Sequence, residues 1–289
     1  MSESESSGSQ PPAGGAGTIG VGPDLTVRRM GFGAMRLTGE GIWGPPADRG
    51  ECLAVLRRAV DLGVDFVDTA DSYGPDVSEE IIAEALVPYP EDLVVATKGG
   101  QLRPGPGQWR PDGRPEHLRE VCEGSLRRLR LDQIPLYQLH RPDPAVPFEE
   151  SVGALAALRD EGKVRHVGLS NVSVDQLRQA MQIVPVVSVQ NKLSLSDLSS
   201  EDVLAVCEAE GLAFIPWRPV DGGTLDAAPL KEVAQARGAS PTQVALAWLL
   251  GRSPAMLPIP GTACVQHLEE NVAAAALHLT PEEVATLTA

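Results

Sequence analysis

Residues 134–170, IPLYQLHRPDPAVPFEESVGALAALRDEGKVRHVGLS, predict a strand, a helix and a second strand in succession. Residues 134–139 and 164–170 have the length and apolar composition of buried strands. Residues 148–161 have the apolar spacing of a helix, and Gly162 is the kind of residue that ends one. Two buried strands joined by a helical crossover are typical of a parallel sheet whose outer face is covered by helices.

The same alternation extends in both directions from this unit. Further strands are predicted at residues 29–33, 66–68, 93–97, 186–189, 212–215 and 256–259, and further helices at residues 78–86, 115–129, 174–181, 198–210, 230–237 and 242–250. Eight strands, each followed by a helix, over roughly 250 residues favour an α/β fold of the (β/α)8 TIM-barrel type. An open doubly wound sheet is the competing topology, but GFGAMR at residues 31–36 lacks the GxGxxG pattern of its dinucleotide-binding turn.

Composition bounds the domain organisation and the class of partner. Residues 1–18 are mostly Ser, Glu, Gly and Pro, cannot bury enough apolar surface to order themselves, and are predicted to be a disordered tail. Residues 19–289 are predicted to form a single barrel domain. The formal net charge of -15 at pH 7 disfavours nucleic acid and anionic membrane surfaces as partners.

The sequence also predicts the compartment. No apolar stretch is long enough to span a bilayer, and the N-terminus lacks a signal-peptide profile. The cysteines are Cys52, Cys122, Cys207 and Cys264. They lie far apart and have no histidine or carboxylate partners at metal-ligand spacing, so we expect reduced thiols and no bound metal. These features predict a cytoplasmic protein.

Polar or aromatic residues follow six consecutive predicted strands at their carboxyl ends, where the active site of a barrel lies. Asp68 ends the second strand, Lys98 follows the third, and His140 follows the fourth. Tyr73 lies in the loop after Asp68. Each alone has an ordinary structural explanation, such as a loop-stabilising carboxylate, a solvated strand end or a turn residue. Their joint occurrence at equivalent strand ends instead predicts an active site.

These four side chains are chemically suited to donate a proton. A phenol has a pKa of about 10, so Tyr73 is a weak acid at neutral pH. An ammonium group such as that of Lys98 stabilises the phenolate, and a carboxylate such as Asp68 holds the ammonium in place. Moving the pKa of Tyr73 from about 10 toward 7 takes roughly 4 kcal/mol, which a charge pair in a partly dry barrel mouth can supply. His140 could hydrogen-bond the same oxygen and orient a carbonyl beside it.

Several separated motifs of this sequence resemble the aldo-keto reductase superfamily, in its bacterial type with a short C-terminal loop. They are DTADSYG at residues 68–74, TK at residues 97–98, LYQLH at residues 136–140 and GKVRHVGLSN at residues 162–171. They occur in the family's order, and the resemblance extends from about Val27 to the C-terminus. It implies a TIM barrel that binds NADP(H) extended across its mouth and has no Rossmann domain.

The resemblance also implies a role for individual residues. Tyr73 would donate the proton to the carbonyl, and His140 would position the substrate oxygen. Lys98, paired with Asp68, would lower the pKa of the phenol. Trp217 would stack its ring on the nicotinamide and leave one face free for hydride transfer. The implied cofactor-binding residues are Gly33, Met35, Asp68, Ser170, Asn171, Gln190, Trp217, Arg218, Pro219, Gly261, Thr262, His267, Glu270 and Asn271, with Arg218 as a hypothetical pyrophosphate contact.

Two positions depart from the family's pattern around the adenosine 2′-phosphate. Gly261 stands where many members have a lysine, and His267 stands where they have an arginine. Thr262 can still donate to a phosphate, and the free amides at the start of the following helix favour an anion. A neutral imidazole is a weaker phosphate partner than a guanidinium, so NAD(H) remains an alternative to the NADP(H) that we expect.

Two tryptophans in loops at this face are candidates for the substrate pocket. Trp43 is flanked by Gly44 and prolines, and Trp109 lies in a Gly-, Pro- and Arg-rich loop. A rigid indole is costly to leave in water, so a pocket wall is expected, with packing of the loop onto the barrel an equal alternative for Trp43. The arginines of the second loop, at positions 103, 110 and 114, fit an anionic substrate or a solvated surface equally well.

The sequence therefore predicts an NAD(P)H-dependent oxidoreductase that reduces aldehyde or ketone groups of small molecules to alcohols, as a monomer or weak homo-oligomer. A second hypothesis is a redox-sensing regulatory subunit with a bound nicotinamide cofactor and slow turnover, because the same barrel serves as an accessory subunit of potassium channels. The complete set of Asp68, Tyr73, Lys98 and His140 favours the enzyme. A phosphate-binding barrel enzyme without redox chemistry would leave Trp217 unexplained.

Overall fold

The fold is taken from a computed structural model, which describes residues 11–220 and 225–288. In chain order the strands are β1 (Thr18–Gly20), β2 (Thr26–Arg28), β3 (Phe32–Gly33), β4 (Phe66–Asp68), β5 (Val94–Gly99), β6 (Gln101–Leu102), β7 (Arg110–Pro111), β8 (Ile134–Leu139), β9 (Val164–Ser170), β10 (Val186–Gln190) and β11 (Ala213–Phe214). The α-helices are α1 (Arg49–Asp61), α2 (Val77–Leu86), α3 (Pro115–Leu129), α4 (Phe148–Asp160), α5 (Val174–Met181), α6 (Glu201–Glu210), α7 (Ala228–Arg237), α8 (Pro241–Arg252), α9 (Val265–Ala273) and α10 (Pro281–Thr288).

Over the described residues, seven strands form one parallel sheet in the order β11-β10-β9-β8-β5-β4-β3. The sheet is curled, and the helices between its strands cover the outer face. A large apolar cluster between sheet and helices includes Leu139 of β8, Leu155 of α4 and Leu169 of β9. This arrangement is the α/β TIM barrel predicted from the alternation of strands and helices, so that prediction is confirmed. None of the helices in the described ranges is long and apolar enough to cross a membrane.

The barrel is closed by the segment predicted as an eighth strand, residues 256–259, but this segment is not a regular strand. Its first residue forms an isolated bridge with Phe214 of β11. On its other side, the backbone N–H of Gly31 donates to the Pro258 carbonyl at 3.0 Å. Pro258 and Pro260 have no N–H to donate, so a continuous ladder cannot form here. The position of the eighth strand was predicted correctly, and its regularity was not.

Most predicted boundaries agree with the structure, and those of α3, α5, β8 and β9 agree at both ends. The first strand, predicted at residues 29–33, is shorter, because only Phe32 and Gly33 pair with β4. Arg29 turns its side chain toward the last turn of α8, where Nη2 donates to the Leu250 carbonyl at 2.8 Å. The helix predicted from residue 198 begins at residue 201, as α6.

The N-terminal segment is ordered further toward the N-terminus than its composition predicts. Residues 1–10 lie outside the described residues, but Pro12–Ala16 forms a 3-10 turn, so the tail predicted at 1–18 is wrong for residues 12–18. Ala13 is fully buried, and its N–H donates to the Leu62 carbonyl at 3.0 Å. Small residues order this turn because they allow close backbone packing; a Cβ on Gly15 would lie 3.0 Å from a neighbouring carbonyl oxygen.

A β-hairpin that the sequence analysis did not predict covers the amino ends of the barrel strands. Strands β1 and β2 pair in antiparallel fashion, and Val21 and Val27 pack in one cluster with Phe66 and Val94 at the starts of β4 and β5. Asp24 in the hairpin turn accepts a hydrogen bond from Arg165 Nε at 2.9 Å. Because this end is covered, the open mouth of the barrel lies at the carboxyl ends of the strands.

Candidate active site

The four predicted catalytic residues meet at the carboxyl ends of β4, β5 and β8. Asp68 is the last residue of β4, Lys98 is the next-to-last of β5, and His140 follows β8 directly. Tyr73 lies in the turn between β4 and α2, where its N–H donates to the Ala70 carbonyl at 3.1 Å. The parallel pairing of β4 with β5 and of β5 with β8 aligns these strand ends. The structure therefore brings together residues up to 72 positions apart in the sequence, from Asp68 to His140.

Asp68 is the centre of a buried hydrogen-bond network. Its Oδ2 accepts from Lys98 Nζ at 2.6 Å, and its Oδ1 accepts from Gln138 Nε2 at 3.0 Å and Gln190 Nε2 at 2.8 Å. Lys98 is fully buried, and its Nζ also donates to the Thr69 carbonyl at 2.8 Å. Such a network fixes the ammonium in one position. Gln138 was not predicted to be a site residue, although its place two residues before a strand-end histidine puts it on the same face of β8 as His140.

The hydroxyl of Tyr73 lies 3.4 Å from Lys98 Nζ, and Tyr73 is 6% exposed. Burial raises the pKa of Tyr73 above its ordinary value, and Lys98 lowers it by less than burial raises it. The predicted net lowering of this pKa is therefore wrong for the structure described. The physical reason is that burial disfavours the charged phenolate more than Lys98 favours it, and the Asp68 carboxylate, to which Lys98 donates its shortest bond, also opposes phenolate formation.

His140 lies beside Tyr73, with the two ring centroids 5.9 Å apart and nearly perpendicular. Burial, together with the cationic side chains of Lys98 and Arg141, holds the pKa of His140 well below its ordinary value. The imidazole is therefore neutral near pH 7, with one N–H donor and one acceptor nitrogen. Its Nδ1 lies 3.3 Å from the hydroxyl of Ser72. His140 also lines the cavity of the candidate site.

A cavity of 560 Å³ opens at these residues, and both Tyr73 and His140 line it. Trp109 forms an aromatic wall, with its ring centroid 6.4 Å from that of Tyr73 and 6.1 Å from that of His140. Ile42 also lines the cavity, whereas its neighbour Trp43 is not among the lining residues. Trp43 instead forms a backbone bridge with the turn after Tyr73. This bridge fits the alternative of loop packing, and a substrate-pocket role for Trp43 stays a prediction.

Many of the predicted cofactor-binding residues line a second cavity of 320 Å³ that shares Tyr73 and Gln190 with the first. The predicted residues along it are Gly33, Met35, Asp68, Gln190, Trp217, Arg218, Pro219 and Gly261. A Cβ on Gly261 would lie 2.3 Å from the Gly33 carbonyl oxygen, and a Cβ on Gly33 would lie 2.6 Å from the Ile259 carbonyl oxygen. The two backbones thus pack too closely for side chains, which gives a physical reason for glycine at position 261.

Ser170, Asn171 and Trp217 form a connected polar group at the wall of the first cavity. The amide of Asn171 donates to the His140 carbonyl at 3.0 Å and to Ser170 Oγ at 2.9 Å. Its Oδ1 accepts from Trp217 Nε1 at 3.1 Å. Ser170 in turn donates to the Gln190 carbonyl at 2.7 Å. These bonds hold the Ser170 hydroxyl and the Asn171 amide in fixed positions at the cavity wall.

The remaining predicted cofactor residues lie around α9, beyond the two cavities. Thr262 Oγ1 accepts from the Cys264 N–H at 3.1 Å, so the hydroxyl stabilises the start of this helix. His267 is exposed, Glu270 is half-buried and Asn271 is 7% exposed. A carboxylate that was not predicted also lies here, since Glu51 Oε1 accepts from the Val265 N–H at 3.0 Å. Glu51 therefore brings a negative charge to the helix start that was predicted to bind a phosphate.

Neither explanation of the three loop arginines holds in full. Arg103 is 8% exposed and donates to backbone carbonyls, so it is neither a solvated residue nor free to bind an anionic substrate. Arg114 is exposed and forms an ion pair with Asp112 at 2.6 Å. Arg110 is exposed, as expected of a loop surface. Arg141, which was not predicted to be a site residue, lines the open cavity together with Arg218.

Comparisons with known proteins agree with this geometry. Residues 29–289 match the model of the aldo/keto reductase family. The chain is 52% identical over 275 residues to an uncharacterized oxidoreductase of Schizosaccharomyces pombe, covering 94% of this chain and 89% of that protein. It is 42% identical over 270 residues to the pyridoxine 4-dehydrogenase of Escherichia coli, covering 91% and 94%. A crystal structure of an aldo/keto reductase from Klebsiella pneumoniae with NADP and acetate is similar with a TM-score of 0.78 at 28% identity, covering 93% of each chain.

Proposed function

The chain belongs to the aldo/keto reductase family, and on this basis we propose that it transfers a hydride from a reduced nicotinamide to the carbonyl carbon of a small aldehyde or ketone, with Tyr73 as the general acid. One observation carries the proposal. The Tyr73 hydroxyl, 3.4 Å from the buried ammonium of Lys98, borders a cavity that His140 also lines. A carbonyl oxygen in that cavity would meet a proton donor and a neutral imidazole together.

Each site residue has a defined part in the proposed reaction. A reduced nicotinamide bound beside this cavity would supply the hydride that the carbonyl carbon accepts. The C=O π electrons move onto the oxygen, and the oxygen takes the proton of the Tyr73 hydroxyl. The phenolate left behind is stabilised by the ammonium of Lys98, which Asp68 holds in place. Neutral His140 donates a hydrogen bond to the same oxygen and does not compete as an acid.

The protonation state of Tyr73 favours the reductive direction. Because burial raises the pKa of Tyr73, its hydroxyl stays protonated at neutral pH, which is the form that reduction needs. Oxidation of an alcohol needs the phenolate instead, so it would be favoured at higher pH. We therefore propose carbonyl reduction as the direction that this site is built for near pH 7.

The residues around the two cavities fit a nicotinamide cofactor. Ser170, Asn171 and Gln190 offer the donors and acceptors that suit a carboxamide, and the half-buried ring of Trp217 offers an apolar face to a flat heterocycle. We propose NADP(H) as the preferred form, supported by the Klebsiella pneumoniae relative that was crystallised with NADP. Glycine at position 261 and the carboxylate of Glu51 act against the extra phosphate, so NAD(H) is the competing form.

The first cavity suits aldehydes that carry an aromatic ring. Trp109, Tyr73 and Trp217 present aromatic surfaces to it, and Ile42 and Pro111 add apolar surface. The chain is 42% identical to an enzyme named for oxidising pyridoxine, the alcohol of a substituted pyridine. We therefore propose pyridoxal, the aldehyde that corresponds to pyridoxine, as the first substrate to test within a wider class of aromatic aldehydes.

The test is a panel of carbonyl compounds assayed with each reduced nucleotide by the loss of nucleotide absorbance. We expect pyridoxal and benzaldehyde to be reduced with a lower KM than propanal, and NADPH to support a higher kcat/KM than NADH. Absence of multiple turnovers with every compound, alongside tight nucleotide binding, would contradict a reductase and favour the redox-sensing regulatory subunit. A panel in which only non-aromatic sugars react would contradict the aromatic substrate class alone.

The state of the cysteine thiols bears on the cellular compartment of the enzyme. All four cysteines are free, and burial raises the pKa of the Cys122 and Cys207 thiols to about 12, so both are unreactive at neutral pH. Free thiols are ordinary in a reducing compartment, which supports the proposed cytoplasmic location. The prediction of a monomer or weak homo-oligomer stays a prediction.

A further inference from the structure

Arg103 directly follows β6 and is the buried cation of the loop beside the site. It is 8% exposed, and it forms no ion pair with a carboxylate among the described residues. Its guanidinium instead donates to backbone carbonyls: Nε to Gln108 at 2.9 Å, Nη1 to Ile42 at 2.8 Å and Ser72 at 3.0 Å, and Nη2 to Gly41 at 2.8 Å. A buried charge is costly unless it is paired or fully hydrogen-bonded, and here carbonyl oxygens take the place of a carboxylate.

The same guanidinium contacts two indoles. Its Cζ lies 3.7 Å from the ring centroid of Trp109 and 5.8 Å from that of Trp43. A cation this close to an aromatic face is held by the ring's quadrupole, and the attraction grows as water is excluded. Trp109 is still 37% exposed, so one side of its ring meets Arg103 while other parts of it remain accessible from the cavity.

These contacts join three separate chain segments that surround the cavity. The first is the turn at residues 41–43, which contributes Ile42 to the cavity wall. The second is the turn after β4, since the carbonyl of Ser72 immediately precedes Tyr73. The third is the loop that carries Trp109. Arg103 is the residue on which all three converge, although it does not itself line the cavity.

We infer that Arg103 is a positioning residue for substrate specificity: it fixes Trp109 and the Ile42 turn at the distance from Tyr73 that an aromatic aldehyde requires. This rests on the proposed function. The planar guanidinium of Arg103 can donate to four carbonyls at once. A lysine at this position could not reach all of them. The effect of losing Arg103 should therefore fall on substrates that contact Trp109 and spare both the nucleotide and the smallest carbonyl compounds.

The experiment compares Arg103→Met and Arg103→Lys with wild type, using benzaldehyde and propanal as substrates. Arg110→Met is the matched control, because Arg110 is an exposed arginine of the same loop. We expect R103M to raise the KM for benzaldehyde about tenfold, the size expected when a well-placed aromatic contact is lost, and to change its kcat by less than about threefold. The KM for propanal and the Kd for NADPH should stay within about twofold, and R103K should fall between R103M and wild type.

A double-mutant comparison tests whether Arg103 acts through Trp109. If it does, combining R103M with Trp109→Leu should raise the KM for benzaldehyde no further than W109L alone. Equal losses for benzaldehyde and propanal, or full additivity of the two substitutions, would overturn the inference. If R103M does not yield folded protein, the same comparisons with R103K decide: an unchanged benzaldehyde KM in R103K would equally overturn it.

The controls separate this inference from the proposed function. If wild-type protein reduces neither aldehyde, the proposed function fails, and tryptophan fluorescence still reports on Arg103. In that case R103M should increase acrylamide quenching of the intrinsic fluorescence relative to R110M, because Trp109 loses the contact that restrains it. Quenching that is identical in R103M and R110M would contradict the positioning role on its own.

Discussion

The carboxylate of Glu51, in the first turn of α1, accepts a hydrogen bond from the backbone N–H of Val265, the first residue of α9, at 3.0 Å. The start of a helix favours an anion, and in this chain a protein side chain already supplies one. A cofactor phosphate at the same helix start would be repelled by Glu51. This contact therefore bears on whether the enzyme distinguishes NADPH from NADH.

Replacing Glu51 by glutamine is expected to favour NADPH. The amide can still accept the Val265 N–H, but the negative charge is gone, so binding of the 2′-phosphate should improve about three- to tenfold, with the effect shrinking as salt is added. The Kd for NADH should change by less than about twofold. Nucleotide fluorescence titrations of both forms measure this, with Glu116→Gln, an exposed carboxylate on α3, as the control. Equal changes for both nucleotides would show that Glu51 lies away from the phosphate.

Introducing even a methyl group at Gly261 is expected to destabilise the protein. A Cβ there would lie 2.3 Å from the Gly33 carbonyl oxygen, so one backbone must move. Overpacking of this kind costs about 1–3 kcal/mol, and Gly261→Ala should lower the free energy of unfolding in urea by that amount. Gly153→Ala on α4 is the control, because a Cβ there meets nothing within 4 Å. A G261A variant as stable as wild type would mean that these two backbones are less tightly packed.

Removing the charge of Asp68 should leave an unpaired buried ammonium. Lys98 is fully buried and bonds Asp68 at 2.6 Å, so Asp68→Asn is expected to destabilise the fold by about 3–5 kcal/mol. The double variant D68N/K98M should recover part of that loss because no charge is then buried. The free energies of unfolding in urea of wild type, D68N, K98M and the double variant together form a double-mutant cycle. Strictly additive effects would contradict the pairing that the structure describes.

The neutral state of His140 predicts how stability depends on pH. Its pKa is held well below the ordinary value by burial and nearby cations, so the native protein does not take up the proton that an unfolded histidine binds below pH about 6.5. Stability is therefore lost as the pH falls through that region. Between pH 7.5 and 5.5, His140→Gln should lose about 1 kcal/mol less unfolding free energy than wild type. His278→Gln, at an exposed histidine, is the control and should lose as much unfolding free energy as wild type. An equal loss in H140Q would contradict a lowered pKa of His140 in the folded protein.

The sequence was sufficient for the parts of the fold and site that depend on local patterns. Apolar runs, helix-ending glycines and strand-end polar residues predicted the barrel, and they placed Asp68, Lys98 and His140 at one face. The sequence could not predict those features of the site that depend on contacts between distant segments. Glu51 meets Val265 across 214 positions, and no local pattern marks that pair.

The sequence also could not predict the direction in which the pKa of Tyr73 is shifted. The net effect on the pKa of Tyr73 depends on how burial compares with the nearby charge of Lys98, and only coordinates give that comparison. Arg103 is a further case, since nothing in a Gly-, Pro- and Arg-rich loop distinguishes the one arginine that is buried from its exposed neighbours.

The central claim, that the Tyr73 hydroxyl supplies the proton, is tested most directly by the rate of hydride transfer in a single turnover of Tyr73→Phe with saturating NADPH and benzaldehyde. We expect a fall of about 10²–10⁴-fold, the usual contribution of a general acid, with an NADPH Kd within about twofold of wild type. Tyr89→Phe, which removes a hydroxyl bonded to the Leu129 carbonyl outside the site, should keep the wild-type rate. A hydride-transfer rate in Y73F within about threefold of wild type would contradict the claim.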